Sequence, residues 1–269
     1  MNYQMLVLDL DGTLTNSRKE LTEPTRKALI EIQEAGKKVV LASGRPINGV
    51  WPLAEKLELE RFGGYMLSFN GGRITQCSTG EVVYNRVLPQ EVIRPIFDIV
   101  KGYPGADIIS YDDERILSGI QVNEYTEKES FINSMEVVPV DDLPSYLNFP
   151  VNKLLIPGEP SILEEIIPVL QKKYHSLLNI YRSEPYFLEI MPQKIDKAYS
   201  LQKLLSSLGL TADEMICCGD GYNDISMIEY AGLGVAMENA QPIVKESANF
   251  ITKSNDEDGI LHVINTFLR

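Results

Sequence analysis

Met5-Leu6-Val7-Leu8-Asp9-Leu10-Asp11-Gly12-Thr13-Leu14 is the stretch from which the rest of the chain can be read. Its first four residues are an apolar run long enough for one buried strand. The run ends in two carboxylates, Asp9 and Asp11, and Gly12 follows at once, a residue that permits a sharp turn. In an open α/β sheet, the carboxyl end of a strand is where ligands bind. Like charges this close repel, so a cation or a proton must offset them. Mg2+ suits, because it takes one or two carboxylates together with phosphate oxygens. A calcium loop also opens Asp-x-Asp, but it needs a third oxygen ligand before its glycine and a closing glutamate; this stretch has neither.

Working outward, Thr22 is placed to cap a helix that carries Ala28, Leu29, Ile32 and Ala35 at helical spacing and closes at Gly36. Lys38–Ala42 is the next strand, and a strand-helix-strand unit implies a parallel sheet. That strand ends in Ser43-Gly44-Arg45-Pro46, where proline suits the first turn of a helix. A hydroxyl and backbone N–H groups at such a junction form an anion site. Arg45 is read as support for this loop and is given no chemistry. Strands at 65–68 and 73–76 flank Phe69-Asn70-Gly71-Gly72, a strong hairpin signal, and 82–84 adds a third strand to a small antiparallel ribbon.

The same α/β pattern returns near the C-terminus. Ile195-Asp196-Lys197-Ala198 opens a helix that runs to Leu208 and ends at Gly209. The strand Met215-Ile216-Cys217-Cys218 runs into Gly219-Asp220-Gly221-Tyr222-Asn223-Asp224, where glycines flank an acid at a strand end and two further polar ligands follow. A helix at 225–231, a strand at 233–236, a helix near 243–246, a strand at 249–251 and a helix at 260–267 complete the chain. Between about 86 and 186 the pattern differs. Pro89 opens a helix carrying Val92, Ile93, Ile96, Phe97 and Val100, strands are expected near 107–110, 115–118, 153–156 and 179–182, and a second helix near 161–174. Two helices and several strands, punctuated by proline-bearing stretches, read as an α+β module inserted into the parallel core. Residues 187–191 read as the strand that returns to that core.

Composition bounds the function. With 44% hydrophobic residues, the 269-residue chain can build a full core in one large or two modest domains. A net charge of −13 disfavours nucleic acid, which needs a basic face, and an anionic membrane surface. An anionic substrate would therefore need local positive charge. The three cysteines, Cys77, Cys217 and Cys218, form no C-x-x-C pair, and two of them sit inside an apolar strand, which fits a reducing cytoplasm. His175 and His262 stand apart from the other polar clusters and are read as surface or structural residues. No basic region followed by an apolar core opens the chain, so no signal peptide is expected, and no apolar run reaches membrane-spanning length.

Asp9-Leu10-Asp11-Gly12-Thr13 after an apolar strand resembles the first motif of the haloacid dehalogenase superfamily of phosphohydrolases. Ser43-Gly44-Arg45-Pro46 falls where the second motif belongs, and Lys197 where the third motif has its lysine, although Ala198 replaces the glycine common there. Residues 219–224 are similar to the fourth motif. The size of the inserted module, with Val235-Ala236-Met237-Glu238-Asn239-Ala240 and Ser254-Asn255-Asp256-Glu257-Asp258-Gly259, resembles the Cof-type branch and its bacterial sugar-phosphate phosphatases.

The resemblance implies an α/β fold: a Rossmann-like parallel-sheet core (1–85 and 187–269) with an inserted α+β cap domain (86–186). It implies a Mg2+-dependent phosphomonoester hydrolase in which Asp9 is the nucleophile that forms an aspartyl-phosphate, and Asp11 is first the acid for the leaving oxygen and then the base for water. Mg2+ would be held by Asp9, by Asp11 through its backbone carbonyl, and by Asp220, with Asp224 behind them or reaching the ion through water. Ser43, Lys197, Asn223 and the backbone N–H groups of Leu10 and Gly44 would cradle the phosphoryl oxygens, and Lys197 would also pair with Asp9. The cap, tethered near 84–87 and 182–188, would close over the site and select the leaving group. The implied partner is a small phosphorylated metabolite, with no nucleic acid and no membrane, bound by a cytoplasmic monomer or small homo-oligomer. Two other readings stay open. A phosphohexomutase-like phosphotransferase would pass the phosphoryl group to a second sugar hydroxyl, and a non-catalytic phosphometabolite-binding module would be favoured had Asp9 or Asp11 been replaced.

Overall fold

Strand pairing in the computed structural model, which describes residues 3–269, produces two separate sheets in two units. The first unit comprises the chain up to Asn85 together with Asp196–Arg269, and the second is Arg86–Ile195. Strands are numbered in chain order. The first unit holds β1 (Met5–Leu8), β2 (Lys38–Ala42), β3 (Tyr65–Ser68), β4 (Arg73–Gln76), β5 (Val82–Asn85), β12 (Met215–Gly219), β13 (Leu233–Ala236) and β14 (Phe250–Ile251). The second holds β6 (Ile109–Tyr111), β7 (Arg115–Ser118), β8 (Glu136–Pro139), β9 (Leu154–Pro157), β10 (Leu178–Glu184) and β11 (Phe187–Pro192).

The first sheet runs β14-β13-β12-β1-β2-β3-β4-β5. It is parallel from β14 to β3, with β4 and β5 added antiparallel. The central strands β13, β12, β1, β2 and β3 are buried on both faces, as their near-continuous apolar runs require, whereas the edge strands β5 and β14 are largely exposed. Leu6, Leu8, Val39, Leu41, Met66, Ile216 and Cys218 pack against helices Glu23–Glu34, Ile47–Lys56 and Gly259–Phe267. The alternate residues Met5, Val7, Val40, Ala42, Leu67, Met215 and Cys217 pack against Leu201, Leu204 and Leu205 of helix Lys197–Leu208 and Met227 of helix Ile225–Tyr230. Thr22 caps the first helix by accepting from the Thr25 N–H, as its sequence indicated. The register positions the site. Leu8 pairs with Leu41 on one side and with Cys218 on the other, so Asp9, Ser43 and Asp220 leave the sheet at the same edge.

The second sheet runs β10-β11-β9-β6-β7-β8 and is antiparallel except between β7 and β8. Leu117, Leu154, Ile156, Leu188 and Ile190 pack against Val92, Ile93, Ile96 and Phe97 of helix Gln90–Val100 and Leu163, Ile166 and Leu170 of helix Pro160–Tyr174. Two expectations need correction. Residues 187–191 do not return to the parallel core: Leu188 pairs with Ile156 and Ile190 with Ile180, so this strand lies between β9 and β10 and the unit ends at Ile195. An apolar run fits either sheet, and only its partners decide which. Helix Glu124–Asn133 and β8 were also missed. That helix buries Thr126, Glu129 and Asn133 and leaves Phe131 exposed, so it presents no apolar stripe to read.

Candidate active site

Asp9 follows β1 and is buried, its backbone N–H donating to the Cys218 carbonyl at 3.0 Å. Lys197 opens its helix just after Asp196, whose side chain caps that helix by accepting from the Tyr199 N–H at 2.8 Å. The Lys197 ammonium has no solvent exposure, and its three protons have three acceptors: Asp9 Oδ1 at 2.6 Å, Asp224 Oδ1 at 2.6 Å and the Ala42 carbonyl at 2.9 Å. The lysine thus ties together the ends of β1 and β2 and the loop after β12. Asp224 turns its other oxygen back onto its own loop, accepting from the Asp220 and Gly221 N–H groups at 3.0 Å each.

Asp220 completes the acidic group. Its Oδ1 accepts from Thr13 Oγ1 at 2.7 Å. Gly12 makes this approach possible: φ is +83°, and a Cβ there would stand 2.4 Å from Asp220 Oδ2. Asp9, Asp220 and Asp224 each offer an oxygen within 4.8 Å of the others. Burial, with the charge of Asp224, pushes the Asp9 carboxyl well above the ordinary range, and Lys197 offsets this only in part. Burial is also the main cause that lifts Asp220 to about 6, with Asp224 and Asp11 adding to it. Burial alone would lower Lys197, but Asp224 and Asp9 outweigh it and hold the ammonium protonated.

Asp11 lies outside this cluster. Arg45 grips its carboxylate with both arms, Nε to Oδ2 at 2.9 Å and Nη2 to Oδ1 at 2.7 Å, and Lys19 Nζ donates to Oδ1 at 2.8 Å. Burial would raise Asp11, but Arg45 and Lys19 reverse that and bring its pKa below the usual value. Arg45, read from sequence as loop support, is therefore the main partner of a candidate catalytic acid, and its backbone N–H also donates to Ser43 Oγ at 3.2 Å. Ser43 is buried at the end of β2, and Asn223 is exposed in the 3-10 turn Tyr222–Asp224. Two further side chains brace the first loop. Asn239 Nδ2 donates to the Gly12 carbonyl at 2.8 Å and Asn255 Nδ2 to the Thr15 carbonyl at 2.9 Å. Both lie in the stretches that had suggested the Cof-type branch, which was the only sign of them in the sequence.

Carboxylates gathered at the carboxyl edge of a parallel sheet, two of them bridged by one buried lysine, make a phosphoryl-transfer type of site. The family model for haloacid dehalogenase-like hydrolases matches residues 6–264, and this chain belongs to that family. The chain is 30% identical over 264 residues to 5-amino-6-(5-phospho-D-ribitylamino)uracil phosphatase YcsE of Bacillus subtilis (strain 168), covering 98% of this chain and 95% of that protein. A haloacid dehalogenase-like hydrolase from Bacteroides thetaiotaomicron has a TM-score of 0.95 at 45% identity, covering 98% of this chain and 99% of that one. The HAD subclass IIB sugar phosphatase BT4131 has a TM-score of 0.79 at 25% identity, covering 98% of each chain. The protein is thus a hydrolase of the phosphatase class with an α/β fold, a Rossmann-like core and a second, α+β unit.

Proposed function

We propose that the chain is a Mg2+-dependent phosphomonoester hydrolase that acts on small phosphorylated sugars or polyols through an aspartyl-phosphate at Asp9. The observation that carries this reading is the clustering of Asp9, Asp220 and Asp224 within 4.8 Å, with Asp9 and Asp224 buried against Lys197. With these acids ionised, three negative charges face one ammonium, and the deficit of two matches a divalent cation. An all-oxygen donor set suits a hard ion such as Mg2+. Asp9, Asp220 and the Asp11 backbone carbonyl would hold it, with Asp224, already engaged by Lys197 and two N–H groups, behind them. When bound, the ion supplies charge neutralisation for the phosphoryl oxygens.

The residues of the chain do the rest. Asp9 attacks phosphorus as the bond to the leaving oxygen breaks, and Asp11 delivers a proton to that oxygen. In the second half Asp11 takes a proton from the water that hydrolyses the acyl phosphate. Arg45 and Lys19 favour the ionised Asp11 that this half needs. Ser43, Asn223 and the N–H groups of Leu10 and Gly44 receive the phosphoryl oxygens as charge spreads over them, and Lys197 joins them by turning its Asp9-directed N–H as Asp9 bonds to phosphorus.

The second unit, Arg86–Ile195, is assigned the selection of the leaving group, since the residues above meet only the phosphoryl group and the ion. The names of the ribitylaminouracil phosphatase and the sugar phosphatase both point to a phosphate on a polyhydroxylated chain. The three unbonded buried thiols support a reducing, cytoplasmic setting. Among the described residues no helix is long and apolar enough to cross a membrane. A phosphate-release screen over sugar phosphates, nucleotides and cofactor phosphates, with Mg2+ and with EDTA, tests the proposal. Release from sugar phosphates that stops in EDTA is expected. An isomeric sugar phosphate without free phosphate would establish a mutase instead, and no turnover on any ester would leave a binding module.

A further inference from the structure

The turn Phe69-Asn70-Gly71 between β3 and β4 has so far served only as a hairpin connection, yet it touches three of the pieces that hold the phosphoryl site. Phe69 and Asn70 both adopt left-handed backbone, with φ of 53° and 52°. Asparagine tolerates this region, whereas phenylalanine does not, and strain of this kind persists only where the surroundings enforce it. The enforcing contacts lead to the loop after β2: the Phe69 N–H donates to the Arg45 carbonyl and the Asn70 N–H to the Ser43 carbonyl, each at 3.0 Å. The Asn70 amide then lies across Gly44, where an added Cβ would stand 3.1 Å from Asn70 Oδ1. That same Oδ1 accepts from Asn223 Nδ2 at 3.0 Å. Gly71 closes the turn at φ +97°, and a Cβ on it would stand 2.6 Å from the Asp196 carbonyl oxygen, against the first turn of the Lys197 helix.

We propose that Asn70 is a positioning residue for phosphoryl transfer: its side-chain carbonyl fixes the amide of Asn223 beside the Ser43–Gly44 loop. The inference rests on the reading of Asn223 as a phosphate-binding residue. Asn223 is exposed, so its amide would otherwise turn freely. Its NH2 group has two donors, and binding one of them to Asn70 sets the direction of the other. A donor already aimed needs no reorganisation when charge develops on the phosphoryl oxygens. The backbone bonds from Phe69 and Asn70 hold the acceptor itself in register with the Ser43 loop, so two phosphate-binding segments from distant parts of the chain move as one.

A double-mutant cycle in the full-length protein tests this, read by kcat/KM on p-nitrophenyl phosphate and by inhibition with inorganic phosphate. Asn70→Gly keeps the left-handed turn and removes the amide. It should lower kcat/KM about 10–100-fold and weaken phosphate inhibition in parallel, since small misplacements of binding groups cost up to about 10²-fold. Asn223→Ala alone should cost a similar factor. In the Asn70→Gly background it should cost less than about threefold more, because residues that act as a unit are not additive. Asn70→Asp tolerates the left-handed backbone and keeps an acceptor for Asn223, so Asn223→Ala should cost its full factor there. This variant decides the matter if the glycine variant does not fold: a loss in Asn70→Asp as large as that in Asn223→Ala overturns the proposal. Losses that multiply in the Asn70→Gly cycle, or an unchanged kcat/KM in Asn70→Gly, overturn it while leaving Asn223 its phosphate role. Wild-type kcat/KM and phosphate inhibition in Asn223→Ala would remove that role, and the proposal with it.

Discussion

The Lys197 ammonium and the Asp9 carboxylate stand 2.6 Å apart, and the same ammonium is 2.6 Å from Asp224. One cation thus serves two buried acids while Asp220 adds a third charge nearby. Without a metal, the site holds more negative charge than it can neutralise. This imbalance gives the first prediction an unusual sign.

Asp9→Asn is nearly isosteric and removes the proposed nucleophile, so turnover should become undetectable. In EDTA the same variant should be more stable than the wild type, because the excess of negative charge in the cluster falls by one. A gain of about 1 kcal/mol would raise the melting midpoint by roughly 2–4 °C for a chain of this size. Calorimetry in EDTA checks this. A clear loss of stability would mean that Lys197 is held mainly by Asp9, and near wild-type turnover would remove Asp9 as the nucleophile.

Asp220 predicts a pH dependence of the metal-free protein. Its folded pKa, raised to about 6 chiefly by burial, lies above the ordinary value of 3.8. Between these values the folded state holds a proton that the unfolded state has lost. The contribution of Asp220 to stability is therefore full below about pH 4 and is lost as the pH rises through about 6. Melting in EDTA across this range should show a decline that Asp220→Asn flattens. Identical profiles for the two proteins would contradict the assignment.

Arg45 holds Asp11 through a two-armed contact that lysine cannot reproduce. Arg45→Lys should lower kcat/KM about tenfold with little change in melting. Arg45→Ala also removes the strongest positive charge that opposes the effect of burial on Asp11. The Asp11 pKa then rises, and whichever limb of the pH–rate profile it controls moves to higher pH. A profile that stays in place would return Arg45 to a purely structural role.

In the second unit, Asp107 is buried and accepts from the N–H groups of Ile108 (2.8 Å), Ile120 (3.0 Å) and Gln121 (3.3 Å) and from the hydroxyls of Ser118 (2.6 Å) and Thr126 (3.0 Å). Asp107→Ala strands these donors and should cost about 3 kcal/mol or more. Asp107→Asn keeps one carbonyl for the N–H donors and should cost about 1 kcal/mol. The transition of this unit in urea, followed in the intact chain, measures both, and equal costs would show that the hydrogen bonds are not the source.

Much of the fold was legible because its signals are local. Thr22 announced a cap, Gly209 an end, and the paired apolar strands with their helices announced a parallel sheet. The acids Asp9 and Asp220 were legible for the same reason, since each stands at the end of an apolar strand, Asp9 three residues before Gly12 and Asp220 between Gly219 and Gly221. Residues 187–191 were read into the wrong sheet because a fully buried strand looks alike in either. Helix Glu124–Asn133 was missed because it buries polar groups, which have no hydrophobic period.

Within the site, the sequence by itself determined which residue types meet at the strand ends and in what order. Periodicity, capping residues and motif spacing act over a few residues, so they survive in one dimension. Only the tertiary structure decided their state of charge. That Lys197 is wholly buried between Asp9 and Asp224, that Arg45 grips Asp11 from 34 positions away, and that Asn70 reaches Asn223 across 153 positions depend on strand register. Coulombic and hydrogen-bond energies fall off over a few ångströms of space, and distance along the chain says nothing about that separation until the sheet is assembled.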